Sequence, residues 1–108
     1  MELSLLLKAL GEPTRFLIYR QLFTRKHCVR SLARKLNLTE SAVSQHMKVL
    51  READLVYGER YGHHIHYLPK QETLDEVCRA FACLQEQSRM LDRDPQKCQC
   101  VYRQEVTE

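Results

Sequence analysis

Five hydrogen-bonding side chains share one side of a predicted helix over residues 40–53. The apolar residues Val43, Met47 and Leu50 repeat at the i, i+4, i+7 spacing of a buried helical stripe. The opposite side presents Ser41, Ser44, Gln45, Lys48 and Arg51, a set with no acidic residue among its five members. A glutamine amide pairs with adenine, lysine and arginine pair with guanine or phosphate, and serine pairs with either. This pattern indicates a helix that reads base edges in the major groove of DNA.

The elements around this helix complete a DNA-binding unit. A short amphipathic helix over about 28–36 precedes it, a tight turn joins the two, and Thr39 is a suitable N-cap. Two helices joined in this way predict a helix-turn-helix, here over residues 29–51. A strand-like stretch over 55–68 follows and predicts a hairpin, or wing, whose tip turns near 61–63. The predicted DNA contacts on the helix and the wing are Ser41, Ser44, Gln45, His46, Lys48, Arg51, Arg60, His63 and His64.

The remaining segments are predicted to be helical and to join two copies of the chain. Residues 3–10 are apolar on nearly every side, a second helix starts at Pro13, and a long helix covers about 71–91. The predicted fold class is therefore mainly α with a small β-hairpin, in the order α-α-α-α-β-β-α of a winged helix-turn-helix. Residues 1–91 form the DNA-binding and dimerisation domain, and 92–108 form a polar, cysteine-containing tail. The first and last helices are expected to form a homodimer of compact subunits, each with a radius of gyration of about 13 Å.

Charge is distributed unevenly along the 108 residues. Residues 1–70 carry 12 basic and 6 acidic side chains, a net charge of +6, whereas residues 71–108 carry 5 and 8, a net charge of −3. A basic body favours a polyanion such as double-stranded DNA as partner. No run of 18 apolar residues and no secretory leader pattern occurs, which predicts a cytoplasmic protein without a membrane partner. No phosphate-binding loop, nucleophile elbow or zinc-hydrolase motif occurs, so an enzyme is not expected.

Three stretches resemble a known protein family. These are LGEPTR over 10–15, SAVSQHMKVLREADLV over 41–56 and GERYG over 58–62. The sequence over about 3–90 is similar to the ArsR/SmtB family of bacterial winged-helix repressors. The resemblance implies a homodimer that binds a dyad-symmetric operator near its own promoter and releases it when a metal ion or another inducer binds. DNA binding itself is expected to need no cofactor.

The cysteines make a thiophilic inducer the leading hypothesis. In the family's thiol-metal sensors the third helix opens with Glu-Leu-Cys-Val-Cys-Asp-Leu. This chain has Lys-His-Cys-Val-Arg-Ser-Leu over 26–32, so Arg30 occupies the position of the second cysteine ligand. The family's zinc site on the last helix is also missing its histidines, since no His follows His66. Cys28 lies at a helix N-terminus among cations, which favours a thiolate. With Cys98 and Cys100, from the same or the partner chain, it could bind arsenite, or a zinc or cadmium ion.

Other assignments of the thiols stay open at this point. Cys78 falls on the apolar stripe of the last helix and is predicted to be core, while Cys83 lies about 140° around that helix. A redox or persulfide switch would join Cys28 to a last-helix cysteine. A winged helix that binds only protein and has no inducer is a further alternative.

Overall fold

The computed structural model describes residues 1–99, and it confirms the predicted order of elements. Five helices and one antiparallel hairpin follow each other with little intervening loop. The elements are α1 (Leu3–Leu10), α2 (Pro13–Gln21), α3 (Val29–Leu36), α4 (Glu40–Glu52), β1 (Val56–Tyr61), β2 (His64–Pro69) and α5 (Gln71–Met90). A short 3-10 turn, Pro95–Lys97, follows α5.

A single apolar core lies between α1, α2, α3, α4 and the base of the hairpin. Its fully buried side chains each come from a periodic apolar position: Leu6, Ile18, Leu32, Val43, Met47, Leu50 and Leu55. Of the apolar residues of α1, only Leu6 and Ala9 are buried. Leu10 is partly buried against the core, whereas Leu3, Leu5 and Leu7 stay exposed in the single chain, with Leu5 52% exposed.

The turn between α3 and α4 sets the geometry of the helix-turn-helix. Asn37 ends α3 with a left-handed backbone (φ 56°), a conformation that asparagine tolerates better than most residues. Thr39 then begins α4, and its hydroxyl oxygen accepts a hydrogen bond from the Ala42 amide at 3.0 Å, as the sequence predicted. The two caps stop one helix and start the next within three residues, which fixes the angle between α3 and α4.

The hairpin is a two-stranded wing attached to the start of α3. Val56 pairs with Pro69 at its base and Tyr61 with His64 at its tip, where Gly62 takes a positive φ of 61°. The Tyr67 amide donates to the His27 carbonyl at 2.8 Å, and this joins β2 to the segment before α3. The ammonium of Lys26 reaches the Tyr61 hydroxyl at 3.1 Å. These contacts hold the wing beside α3 and α4.

The last helix leaves much of its apolar stripe uncovered, which a compact subunit would not do. In α5 only Thr73 and Val77 are buried, whereas Phe81 is 48% and Leu84 is 56% exposed. The radius of gyration is 20.3 Å, so the expectation of about 13 Å is wrong for the single chain. The reason is that α5 packs mainly against α1 and extends past the core. None of the helices within residues 1–99 has the length and apolar character needed to cross a membrane.

Candidate nucleic-acid interface

The exposed side of α4 carries the predicted donors, as its periodicity required. Val43, Met47 and Leu50 are at most 1% exposed and fix the helix on the core. On the other side the structure exposes every donor that the sequence placed there: Ser41, Ser44, Gln45, Lys48 and Arg51. Their common placement is as expected, and their contact with DNA stays a prediction.

His46 is placed differently from the other predicted contacts on α4. Its ring is half-buried, and Nδ1 lies 3.3 Å from Nη1 of Arg15 and 3.6 Å from a carboxylate oxygen of Glu12. Glu12 also caps α2, because its carboxylate accepts hydrogen bonds from the amides of Arg15 at 2.7 Å and Thr14 at 3.2 Å. The Arg15 amide bond is the main reason that the pKa of Glu12 falls below its usual range. His46 therefore faces α2 within the protein and holds α4 to it.

Two arginines connect α4 with the wing. Nη1 of Arg51 donates to the Tyr67 hydroxyl at 3.4 Å, while Arg60 is exposed on β1. Both line a cleft of about 290 Å³ with Gly58 and Ile65. A Cβ at Gly58 would approach Ile65 Cγ2 to 2.7 Å, so a larger residue at this position would clash with Ile65 on the paired strand. The cleft gives the interface a second cationic region beside the donor side of α4.

Sequence reasoning missed two cationic residues on α3. Arg30 and Arg34 are exposed and spaced by four, so they lie on the same side of the helix. With Asn37 and Glu40 they line a concave surface of about 530 Å³ at the turn before α4. The first helix of a helix-turn-helix crosses the DNA backbone, and these guanidinium groups are suited to phosphate there. Their i, i+4 spacing was the signal available in the sequence.

Cys28 lies in a cleft between the start of α3 and the wing. The cleft has a volume of about 420 Å³, and Arg30, Glu40, His63 and His64 also line it. Burial raises the pKa of the Cys28 thiol, but the amides and hydroxyl at the start of α3, above all those of Ser31, outweigh this and lower it. Both wing histidines predicted to contact DNA are thus at the mouth of the cleft that contains the thiol.

The neighbouring His27 is a buried side chain whose pKa is lowered. It is 5% exposed, and its Nδ1 lies 2.9 Å from the Ser31 hydroxyl. Its Nε2 is buried with no hydrogen-bond partner among the described residues. Burial, aided by the nearby cations Lys35 and Arg25, lowers the pKa of His27. The ring is therefore packed in the protein beside the wing, where the His27 carbonyl accepts the hydrogen bond from the Tyr67 amide.

The structure does not assemble a metal site from the cysteines that it describes. Within residues 1–99, no three His, Cys, Asp or Glu side chains lie close enough to hold an ion together. Cys28, Cys78 and Cys83 are free thiols among the described residues. Cys100 lies outside the described residues. Cys78 is exposed, so its prediction as core is wrong for the single chain, because among residues 1–99 no α5 side chain beyond Val77 is buried.

Comparison with known protein families gives a match over the helix-turn-helix. The profile of the family described as "Bacterial regulatory protein, arsR family" matches residues 12–57. These residues include α2, α3, α4 and the start of β1. The match therefore covers the predicted recognition helix and the residues that hold it.

Individual relatives extend the similarity beyond this region. The HTH-type transcriptional repressor SmtB of Mycobacterium tuberculosis is 42% identical over 62 residues, 57% of this chain and 46% of that protein. The chain thus spans about half the length of this curated relative. The crystal structure of NolR from Sinorhizobium fredii is 34% identical, covers 77% of this chain and 80% of NolR, and has a TM-score of 0.62. An ArsR-like transcriptional regulator from Rhodococcus sp. RHA1, at 24% identity, shares the fold over 82% of this chain and 83% of its own, with a TM-score of 0.72.

Proposed function

The chain belongs to the ArsR family of bacterial regulatory proteins, and from this premise we propose that it is a homodimeric transcriptional repressor that binds a dyad-symmetric DNA operator. ArsR-family proteins are DNA-binding regulators and not enzymes. The observation that carries the proposal is the α4 surface, where an apolar stripe anchors the helix and the five exposed donors, beside the exposed carboxylate of Glu52, face outwards. Acting on promoter DNA, such a repressor works in the cytoplasm.

Support for a dimer comes from the apolar surface that one chain leaves exposed. Leu3, Leu5 and Leu7 of α1 are 36–52% exposed, and Phe81 and Leu84 of α5 are 48% and 56% exposed. Apolar area of this kind gains roughly 25 cal/mol for each Å² that is removed from water. We assign dimerisation to α1 and α5, and residues 1–91 to the DNA-binding and dimerisation unit with 92–108 as its tail.

Selection from a pool of randomised DNA duplexes tests this proposal without knowledge of the operator. The bound duplexes are recovered, amplified and sequenced over several rounds. A dimer with two recognition helices should enrich an inverted repeat whose half-site centres are about 10 base pairs, or 34 Å, apart. Enrichment of a single unrepeated motif, or of none, would contradict the proposed operator binding.

We propose further that a thiophilic ion acting at Cys28 releases the DNA. The lowered pKa of this thiol and its position in an open cleft favour its reaction, as a nucleophilic thiolate, with a soft electrophile. Arg30 in the same cleft repels a cation, so neutral arsenite, As(OH)3, is preferred to a zinc or cadmium ion. Because the cleft around Cys28 is lined by residues of both α3 and the wing, ligation of Cys28 would displace these two elements and so alter the DNA-binding surface.

The tail of the partner chain is the source of additional thiols in this proposal. Cys28 lies near β2, which leads into the start of α5, whereas Cys98 follows the far end of that helix. The 20 residues of α5 span about 30 Å, more than the stretch from 91 to 98 easily covers by folding back. If the two α5 helices of the dimer are antiparallel, the tail of one chain, with Cys98 and Cys100, ends near Cys28 of the other.

Arsenite titration of the protein–DNA complex tests this inducer site. Arsenite should release the selected duplex from the parent protein, and Cys28→Ser should prevent release, because the ion loses its anchoring thiolate. The double substitution Cys98→Ser/Cys100→Ser should raise the arsenite concentration needed to release the DNA. Cys83→Ser, at an exposed position of α5 away from its apolar stripe, serves as the control and should release DNA like the parent. If Cys28→Ser releases DNA like the parent, the site is wrong. Release by a hydroperoxide and not by arsenite would favour the redox alternative at the same thiol.

A further inference from the structure

We propose that Asp54, Lys70 and Thr73 form a joint that fixes the angle between α4 and α5 and thereby sets the spacing of operator half-sites that the dimer accepts. The proposal rests on the proposed function for its DNA readout. It concerns residues outside the donor side of α4, and none of the three is expected to touch DNA.

Asp54 reverses the chain at the end of the recognition helix. It has a left-handed backbone with φ 62°, which is uncommon for a residue other than glycine. Its amide donates to the Arg51 carbonyl at 3.0 Å, so the reversal follows the last turn of α4 directly. The position of the Asp54 carboxylate therefore depends directly on the orientation of α4.

Lys70 binds this carboxylate from the start of α5. Its ammonium lies 2.8 Å from Oδ1 and 3.0 Å from Oδ2 of Asp54, so it is shared by both oxygens. Its amide donates to the Leu55 carbonyl at 2.9 Å, and its own carbonyl accepts from the Leu74 amide at 3.2 Å in the first turn of α5. One residue thus contacts the end of α4 through its side chain and begins α5 through its backbone.

Thr73 adds a third contact from inside the core. Its side chain is 3% exposed, and its hydroxyl donates to Oδ2 of Asp54 at 3.4 Å. Thr73 and Val77 are the two residues of α5 that are buried in the described chain. The joint therefore includes one of the two α5 residues that are buried in the described chain.

A small change of angle at this joint has a large effect on DNA. The 13 residues of α4 span about 20 Å, and a rotation of about 10° moves the end of a lever of that length by about 3.5 Å. One base-pair step is about 3.4 Å along the duplex axis. Because α5 joins the two chains in the proposed dimer, a loose joint would let each recognition helix shift by about one base pair.

Spacing variants of the selected duplex test the joint. Half-sites are separated by the selected spacing and by one base pair more or less, and binding is measured by fluorescence anisotropy. Lys70→Met retains the backbone hydrogen bonds and removes the ammonium, and Asp54→Asn retains a side chain suited to the left-handed backbone. Both should reduce the preference for the best spacing by about 3-fold to 10-fold, while affinity for a single half-site stays within about 2-fold.

A control variant distinguishes an effect of the joint from a general loss of stability. A measurement on the free dimer tests the joint independently of the proposed DNA-binding function. Lys97→Met removes an exposed ion pair with Asp92, 3.0 Å apart, and should leave the spacing preference unchanged. A nitroxide on a non-natural amino acid at position 52 reports the distance between the two α4 helices in the free dimer. Lys70→Met should broaden that distribution. An unchanged width, or an equal loss of affinity at every spacing and at the half-site, overturns the joint. A parent protein that shows no spacing preference counts against the proposed function, and the nitroxide width then decides the joint alone.

Discussion

Phe81→Glu is expected to convert the dimer into monomers at micromolar concentration and to abolish high-affinity operator binding. Phe81 is 48% exposed in one chain and lies on the apolar stripe of α5, which we assign to the dimer interface. Burying a carboxylate in such an interface without a partner costs several kcal/mol, enough to shift the dimerisation constant by more than 100-fold. Sedimentation equilibrium measures the change, and circular dichroism checks that the helices persist.

A second glutamate on the same helix is the matched control. Cys83 is exposed and lies about 160° around α5 from Phe81, so Cys83→Glu adds the same charge to the opposite side. This variant should remain dimeric and bind the duplex like the parent. A monomeric parent protein would contradict the proposed dimer, and a dimeric Phe81→Glu variant would show that its interface is elsewhere.

Gln45→Ala and Lys48→Ala are each expected to weaken operator binding while the fold survives. Both side chains are exposed on the donor side of α4, so their removal leaves the buried stripe intact. A base contact contributes about 1 to 3 kcal/mol of discrimination, which is roughly 5-fold to 150-fold in affinity for the selected site. Loss of a phosphate contact would instead weaken all sequences alike and reduce the salt slope by about 1.

Fluorescence anisotropy over a series of salt concentrations separates these two roles. Gln71→Ala, an exposed glutamine at the start of α5 that bonds Asp75, provides the control and should bind like the parent. Unchanged affinity in both α4 variants would mean that the wrong side of the helix, or the wrong helix, has been assigned to the DNA.

The order of elements could be predicted because local signals agree with the fold. The spacing of Val43, Met47 and Leu50 gave the buried side of α4, and Thr39 gave its start within one residue. The α5 stripe was also recognised, and the helix ends at Met90, one residue before the predicted end. In each case the residues that decide the structure lie within one or two helical turns of each other.

Features that depend on distant residues were not predicted. His46 has the sequence position of a base contact, but its partners Arg15 and Glu12 lie more than 30 residues earlier and turn it towards α2. The Asp54–Lys70 pair spans the whole wing, so no local pattern indicates it. Cys78 was expected in a core, but a single chain does not cover its side of α5. The spacing of apolar residues shows that one side of a helix is apolar. It does not show whether the same chain or a second chain packs against that side.

The most direct test of the central claim is the stoichiometry and symmetry of binding to the selected inverted repeat. The parent protein is titrated at fixed salt against the intact duplex and against a duplex with one half-site scrambled. We expect two chains per intact duplex and about 100-fold weaker binding to the scrambled one. This factor is below the roughly 1000-fold or more by which specific sites exceed non-specific DNA, because one half-site is still present. One chain per duplex with equal affinity for both would contradict a dimeric repressor of a dyad operator.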